Sequence, residues 1–271
     1  MNQTPRRPDR AYRNEEFLNS KDARALRILA EYLEPRSRFE REKIEDTIVF
    51  MGSARFVSQD DAQAALNWAK AGEGDLARAE TLLRNAVYYE AARELARRLT
   101  LWSKALDSKD CRFVVCTGGG PGIMEAANRG AAEARGINVG LGISLPNEQH
   151  DNPYITHELA FHFHYFFMRK FWFAYLAKAV ILFPGGFGTM DELFELLTLV
   201  QTRKMKKPLP ILLFGTAFWS EAINFDALVR HGTISATDVE LVHRTDSVDE
   251  AYTWLTGQLA SFAVDRPGAM L

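Results

Sequence analysis

The sequence is poor in cysteine and contains no long apolar run. Its 271 residues include only Cys111 and Cys116, which are too few for a disulfide framework, and their apolar flanks favour reduced, buried thiols. No apolar run approaches the roughly 18–20 residues needed to cross a bilayer. The basic stretch at residues 1–13 is not followed by the apolar core of a signal peptide. These features predict a cytoplasmic protein.

An excess of charge of one sign is also missing. The chain has 33 Lys and Arg against 35 Asp and Glu, so neither a nucleic acid nor a membrane is expected as a partner. Two nucleotide-binding signatures are missing as well. No Gly-Lys pair exists to complete a P-loop, and the pattern G-x-G-x-x-G fails at Ile123. Dinucleotide cofactors and P-loop hydrolysis are therefore disfavoured, and no cofactor is expected.

Apolar runs that alternate with amphipathic segments predict an α/β fold. Strands are predicted at 47–51, 112–116, 137–145, 179–183, 209–214 and 241–244. This alternation indicates a Rossmann-like, doubly wound parallel sheet with helices on both faces. We assign residues 1–46 to a partly helical N-terminal extension and residues 47–271 to a single nucleotide-binding domain.

Helix ends are predicted from proline and glycine. A helix at 20–33 is expected to end at Pro35, and a helix at 123–135 is expected to be closed by Gly136. Residues 59–106 are predicted as two helical pieces separated near 72–74. Further helices are expected up to Lys178 and at 190–202, 218–230 and 248–262, with a polar loop at 147–154.

Three of the predicted strands run into glycine-containing loops: GSAR at 52–55, TGGGPG at 117–122 and PGGFGT at 184–189. Ligands of open parallel sheets bind outside the carboxyl ends of the strands, so the three loops can share one crevice. The third loop opens into a helix N-terminus, where first-turn N–H groups and the macrodipole favour an anion. Each loop alone could be a simple strand-to-helix turn. Together they predict a phosphate-containing ligand.

Two of these stretches resemble a known family. PGGFGTMDE at 184–192 resembles the PGGxGTxxE signature of the LOG family, the cytokinin riboside 5′-monophosphate phosphoribohydrolases, formerly described as possible lysine decarboxylases. GGGPGIMEAANRG at 118–130 resembles the family's other glycine motif. The pair Arg169-Lys170 is kept without the histidine that precedes it in plant members, which resembles the longer bacterial branch. The resemblance covers roughly residues 45–215.

The resemblance implies an enzyme that hydrolyses the N-glycosidic bond of a nucleoside 5′-monophosphate to free base and ribose 5-phosphate. AMP or a cytokinin riboside monophosphate is the expected substrate. A homodimer or larger homo-oligomer, with the active site near the subunit interface, is also implied. The alternative is a non-catalytic nucleotide-binding or sensing protein, which would keep the glycine loops. Decarboxylation would need a Schiff-base lysine, and its Ser-x-His-Lys context is missing.

Glu192, expected in the first turn of its helix, and Arg169 are the predicted catalytic residues. A carboxylate near C1′ can stabilise the oxocarbenium-like transition state and orient or deprotonate water. Arg169 is expected to bind phosphate, to bind ribose or to assist the leaving base. The residues predicted to bind the substrate or its phosphate are Gly185, Gly186, Gly188, Thr189, Lys170, Gly118, Gly119, Gly120, Ser53 and Glu125.

Each of the charged candidates has a simpler structural interpretation. Glu192 and Glu125 could only complement helix N-termini, and Arg169 and Lys170 could only lie on a solvated helix face. The histidines at 157, 162 and 164, with Glu158, match no zinc spacing, so no metal site is predicted.

Overall fold

The computed structural model describes residues 10–143 and 152–269, which form a parallel sheet flanked by helices. The strands are β1 (Thr47–Met51), β2 (Val114–Thr117), β3 (Asn138–Ile143), β4 (Ala160–Phe163), β5 (Ala177–Leu182), β6 (Ile211–Phe214) and β7 (Val242–Thr245). The helices are α1 (Glu15–Asn19), α2 (Arg24–Arg41), α3 (Gln59–Lys70), α4 (Leu76–Lys104), α5 (Ile123–Glu133), α6 (Phe166–Leu176), α7 (Phe187–Gln201), α8 (Thr216–Ala222), α9 (Phe225–Arg230) and α10 (Val248–Phe262). Short 3₁₀ segments lie at Ala11–Arg13, His157–Leu159 and Ala236–Leu241.

The strand order in the described residues is β4-β3-β2-β1-β5-β6-β7, and all neighbours are parallel. The first strand is central: Val49 pairs with Cys116 of β2 on one side and with Val180 of β5 on the other. The direction in which strands are added therefore reverses at β1. This topology confirms the predicted Rossmann-like, doubly wound α/β fold.

Both faces of the sheet are buried, which explains why its strands are continuous apolar runs. Alternate residues of β1 face opposite layers. Ile48 and Phe50 belong to a core shared with α4, α5 and α10. Val49 and Met51 belong to the core on the other face, shared with α2, α6 and α7. The sheet therefore fixes the positions of the two helical layers relative to the carboxyl ends of its strands.

Pro35 lies inside α2, although the sequence predicted that it would end this helix. Proline has no N–H, so the carbonyl of Glu31, four residues earlier, loses its usual helical donor. The indole Nε1 of Trp172 in α6 donates to this carbonyl at 3.0 Å. A tertiary hydrogen bond thus replaces the missing helical one, and α2 continues to Arg41.

The end of α5 also differs from the prediction. Arg135, and not Gly136, has the left-handed conformation, with φ of 53°. The N–H of Gly136 donates to the carbonyl of Ala131, which completes a Schellman motif. Gly136 is needed because an added Cβ would lie 2.2 Å from Cγ2 of Thr100 in α4. The glycine is therefore required for packing and not for its dihedral angles.

The helix predicted at 218–230 is two helices, α8 and α9. Ile223 is extended, and the Asn224 side chain accepts a hydrogen bond from the N–H of Ala227 at 2.9 Å, which starts α9. The segment predicted to be helical up to Lys178 ends at Leu176, and Lys178 lies in β5. The bounds predicted for β1 and α10 are confirmed, as is the division of residues 59–106 into α3 and α4. Residues 144–145 of the third predicted strand, and most of the predicted loop at 147–154, lie outside the described residues.

Candidate active site

The three glycine loops meet at the point where the strand order reverses. They follow β1, β2 and β5, which are adjacent in the sheet. A cavity of about 1240 Å³ opens at the carboxyl ends of these strands. The loop residues lining it include Gly52 to Arg55, Gly118 to Gly120 and Gly185 to Thr189. This is the crevice in which doubly wound sheets bind their ligands.

The backbone of Ser53 connects all three loops. Its N–H donates to the carbonyl of Pro184 at 3.0 Å, and its carbonyl accepts from the N–H of Ile123 at 3.1 Å. Gly122, with φ of 72°, allows this contact because an added Cβ would lie 2.2 Å from the Ser53 carbonyl oxygen. The Ser53 hydroxyl accepts from the N–H of Arg55 and also lines the cavity.

The loop after β5 leaves the N-terminus of α7 accessible. At Gly185 an added Cβ would lie 2.1 Å from Oγ1 of Thr189, so packing requires glycine there. At Gly186 and Gly188 an added Cβ would meet no atom within 4 Å, and neither residue has a positive φ. Neither protein packing nor backbone conformation requires these two glycines. Their lack of a side chain instead leaves the first-turn N–H groups of α7 open to the cavity.

Helix α7 begins at Phe187, three residues earlier than predicted. The sequence predicted Glu192 in the first turn of this helix. It lies in the second turn. The attraction between a carboxylate and the helix dipole falls off within the first turn. The simpler interpretation of Glu192 as a helix-start acid is weakened accordingly.

Glu192 is a buried carboxylate on the wall of the cavity. It is 8% exposed, and burial raises its pKa to about 7, with the positive charges of Arg169 and Lys170 opposing the shift. Its Oε1 lies 3.7 Å from Nη2 of Arg169, which is the distance of an ion pair and not of a short hydrogen bond. A carboxylate with this pKa can gain or lose a proton near neutral pH.

Arg169 lies between Glu192 and the loop after β2. Its guanidinium is placed over the rings of Phe166 and Phe173, at 5.2 and 5.6 Å from the ring centroids. A Cβ added at Gly118 would lie 3.8 Å from Nη1 of Arg169. The structure thus brings both predicted catalytic side chains to the same cavity as the glycine loops.

Two residues predicted to bind the ligand lie elsewhere. Nζ of Lys170 contacts Oδ2 of Asp191 at 2.7 Å and Oε2 of Glu195 at 2.9 Å, which ties α6 to α7. Glu125 accepts a hydrogen bond from the Tyr89 hydroxyl of α4 at 2.8 Å, which fastens α5 to α4. Neither side chain lines the cavity. Their contact with a ligand stays a prediction, and the structure assigns both side chains contacts between helices.

Some residues of the cavity wall were not among the predicted site residues. Phe173 lies four residues after Arg169, so helical spacing alone could have placed it on the same face of α6. Met124 had no sequence signal; its sulfur would lie 2.8 Å from a Cβ added at Gly118. His157 and His162 also line the cavity. No group of three or more His, Cys, Asp or Glu side chains suited to a metal ion occurs in the described part of the chain.

The raised pKa of Glu192 predicts a pH-dependent difference in stability. The folded state binds this proton more tightly than the unfolded chain, so the stabilisation is present below the ordinary pKa of 4.5 and is lost as the pH rises through about 7. Above that pH the buried charge costs up to about 3 kcal/mol. Glu192→Gln is therefore expected to melt several degrees higher than the parent at about pH 8 and nearly equally at about pH 4 in thermal denaturation. An equal difference at both pH values would contradict the raised pKa.

A doubly wound sheet with glycine loops at its reversal point defines an α/β protein with a ligand-binding crevice. Residues 124–255 match the profile of the family described as "Possible lysine decarboxylase". This stretch is therefore similar to that family, the LOG family, in agreement with the resemblance of the two glycine motifs. Among curated proteins, none matches the sequence significantly.

Several solved structures are similar to this chain. TM1055, a structural genomics target, is 22% identical, with a TM-score of 0.48 over 78% of this chain and 99% of that one. A molybdenum cofactor binding protein from the phototrophic bacterium Rippkaea orientalis is 16% identical, with a TM-score of 0.45 over 79% and 96%. The Moco carrier protein from Chlamydomonas reinhardtii is 19% identical, with a TM-score of 0.45 over 80% and 99%. Such distant likeness says nothing of ligand or reaction. Separately, none of the helices in the described residues has the length and apolar character needed to cross a membrane.

Proposed function

We propose that this protein is a phosphoribohydrolase that cleaves the N-glycosidic bond of a nucleoside 5′-monophosphate to free base and ribose 5-phosphate. One observation carries the proposal. The buried carboxylate of Glu192 opens onto the same cavity as the accessible N-terminus of α7. A binding protein needs the helix N-terminus but has no use for a costly buried acid beside it.

The phosphate is held by the first turn of α7 in this proposal. Gly186 and Gly188 leave the N–H groups there open, and the helix dipole favours a dianion at that position. Thr189 lines the cavity in the same turn and can add a hydroxyl donor. Ser53 and Gly118 to Gly120 line the same crevice.

Glu192 acts on the sugar in this proposal. Cleavage of a ribosyl C–N bond develops positive charge at C1′, which a nearby carboxylate stabilises. With a pKa of about 7, an ionised Glu192 can also take a proton from the attacking water. Arg169 beside it can bind a ribose hydroxyl or the phosphate, or assist departure of the base. The reaction consumes water only and needs no cofactor or metal ion.

The cavity is large for a nucleotide. Its volume of about 1240 Å³ exceeds the roughly 300–1,000 Å³ of ordinary small-molecule sites. AMP and a cytokinin riboside monophosphate, which carries an extra side chain on the purine, both fit this volume. Lysine decarboxylation, the reaction in the family's description, receives no support from the site, because no lysine is among the residues described as lining the cavity.

The direct test incubates the purified protein with AMP and follows free adenine and ribose 5-phosphate by chromatography. Parallel reactions with GMP, CMP and isopentenyladenosine monophosphate define the preferred base. Release of base supports the enzyme. AMP binding by calorimetry without release of any base would instead favour the alternative, a non-catalytic nucleotide-binding protein.

We also propose that the protein forms a homodimer or larger homo-oligomer through α6 and α7. Phe166, Phe167 and Phe194 are exposed, and Phe187 is 97% exposed. Large exposed apolar side chains on neighbouring helices are typical of protein interfaces. All four lie on the helices that carry Arg169 and Glu192, so the interface would adjoin the cavity.

Loss of this apolar face is expected to give monomers. Phe167→Asp combined with Phe194→Asp should lower the molecular mass measured by light scattering, since two charges would then need to be buried. Val87→Asp on α4 is the matched control, because Val87 is equally exposed but lies in the layer on the other face of the sheet. An unchanged mass for the double variant would refute this interface.

A further inference from the structure

The N-terminus of α6 is capped by a residue of the N-terminal extension. The helix's own N-cap position, Tyr165, makes no side-chain capping bond. Instead, the Glu31 carboxylate of α2 accepts hydrogen bonds from the N–H of His164 at 2.7 Å and the N–H of Tyr165 at 3.2 Å. A carboxylate here satisfies unpaired amide donors and complements the helix dipole.

Glu31 holds α6 at a second point. Its main-chain carbonyl, left without a helical donor by Pro35, accepts from Nε1 of Trp172 at 3.0 Å. The adjacent Tyr32 stacks on the Trp172 ring with centroids 5.9 Å apart and contacts Phe171 as well. One residue of α2 therefore fixes both the start of α6 and its second turn.

The hydrogen bonds lead directly to Arg169. Tyr165, whose N–H is bound by Glu31, accepts at its carbonyl the backbone N–H of Arg169 at 3.2 Å. Tyr165 alone thus links the Glu31 carboxylate to the backbone of Arg169. If the first turn frays, this backbone bond is released together with the one from the N–H of Met168 to the same carbonyl, and the guanidinium loses its fixed approach to Glu192.

We propose that Glu31 is a positioning residue that acts on the reaction through Arg169. This inference rests on the proposed hydrolase function. It gives α2 of the N-terminal extension a role in catalysis, because α2 holds the helix on which Arg169 approaches the substrate. Small displacements of a catalytic group lower the rate far more than they lower binding, and the main phosphate contacts in the proposed function are those of the first turn of α7.

The test compares Glu31→Ala with Glu40→Ala. Glu40 is an exposed glutamate of the same helix whose carboxylate pairs with Arg36, so it controls for loss of a helix acid. We expect Glu31→Ala to lower kcat for AMP by about 10- to 100-fold while the dissociation constant of AMP changes little. Glu40→Ala should match the parent in both. Glu31→Gln keeps the volume of the side chain and one acceptor oxygen. Its kcat should lie between those of the parent and of Glu31→Ala, and it replaces the alanine variant in the test if that variant does not fold.

A double-mutant cycle separates positioning from simple stabilisation. If Glu31 acts through Arg169, then Glu31→Ala added to Arg169→Ala should cost no further activity. Full additivity of the two losses, or an unchanged kcat in Glu31→Ala at a temperature where it is folded, would overturn the proposal.

A measurement that does not depend on turnover tests the positioning role even if the protein is not a hydrolase. The Nε–H resonance of Arg169, assigned by its loss in Arg169→Lys, reports the position of the guanidinium in NMR spectra. We expect Glu31→Ala to shift this resonance and Glu40→Ala to leave it in place. If the parent releases no base, the proposed function fails on that ground alone. An unshifted resonance in Glu31→Ala refutes the positioning role whether or not the parent is active.

Discussion

Glu192→Gln is expected to lower kcat for AMP by about 10²- to 10⁴-fold, the range typical of removing a general acid or base. Glutamine keeps the shape of the side chain but can neither accept a proton nor offset the positive charge that develops at C1′. The dissociation constant of AMP should stay near that of the parent, because the phosphate is held by the first turn of α7, one turn before Glu192. Steady-state kinetics and calorimetry measure the two quantities separately.

The matched control for this variant is Asp191→Asn. Asp191 is the neighbouring carboxylate on α7, but it is exposed and pairs with Lys170, which keeps Glu195 as a second partner. Turnover by Asp191→Asn should therefore equal that of the parent. The kcat/KM of the parent should also rise with pH through about 7, as Glu192 ionises. Hydrolysis of AMP by Glu192→Gln at the parent rate would remove Glu192 from the mechanism.

The sheet and the location of the site could be predicted because their signals are local in the sequence. Each buried strand is a continuous apolar run, and three of them end in glycine loops. The general rule for open parallel sheets then places those loops together. In the structure the loops follow the adjacent strands β1, β2 and β5. The location of the site could therefore be predicted without knowledge of any contact between side chains.

Several details depend on contacts between distant segments and could not be predicted. The helix through Pro35 persists because Trp172, over a hundred residues later, supplies a donor to the carbonyl of Glu31. Gly136 is needed because of Thr100 on α4. In each case a local rule was applied correctly, and a tertiary contact that the rule does not contain decided the outcome.

The same distinction applies within the candidate site. Glycine spacing predicted the loops, but it could not tell which charged side chains turn toward the cavity. Lys170 follows Arg169 directly, and consecutive helical residues lie about 100° apart, so Lys170 faces Asp191 and Glu195 while Arg169 faces Glu192. Glu125 likewise faces α4 and Tyr89. The direction of each side chain depends on helix phase, and the start of α7 was predicted three residues too late.

Gly188→Ala is expected to weaken binding of AMP by about tenfold or more without destabilising the protein, since displacing one charge-assisted hydrogen bond costs about 1.5–3 kcal/mol. Gly188 is the second residue of α7, and an added Cβ would meet no protein atom within 4 Å. Alanine also favours a helix over glycine by up to about 1 kcal/mol. The melting temperature should therefore stay level or rise, while the new methyl group stands where the phosphate approaches the first-turn N–H groups.

Gly257→Ala provides the control for this separation of stability from binding. Gly257 lies within α10, is exposed, and would also accept a Cβ with no atom within 4 Å, but it does not line the cavity. Both alanine variants should keep or gain thermal stability, and only Gly188→Ala should lose affinity for AMP and for ribose 5-phosphate in calorimetry. Because ribose 5-phosphate lacks the base, its weaker binding would locate the defect at the phosphate. Parent-like affinity in Gly188→Ala would show that the phosphate does not bind at the N-terminus of α7.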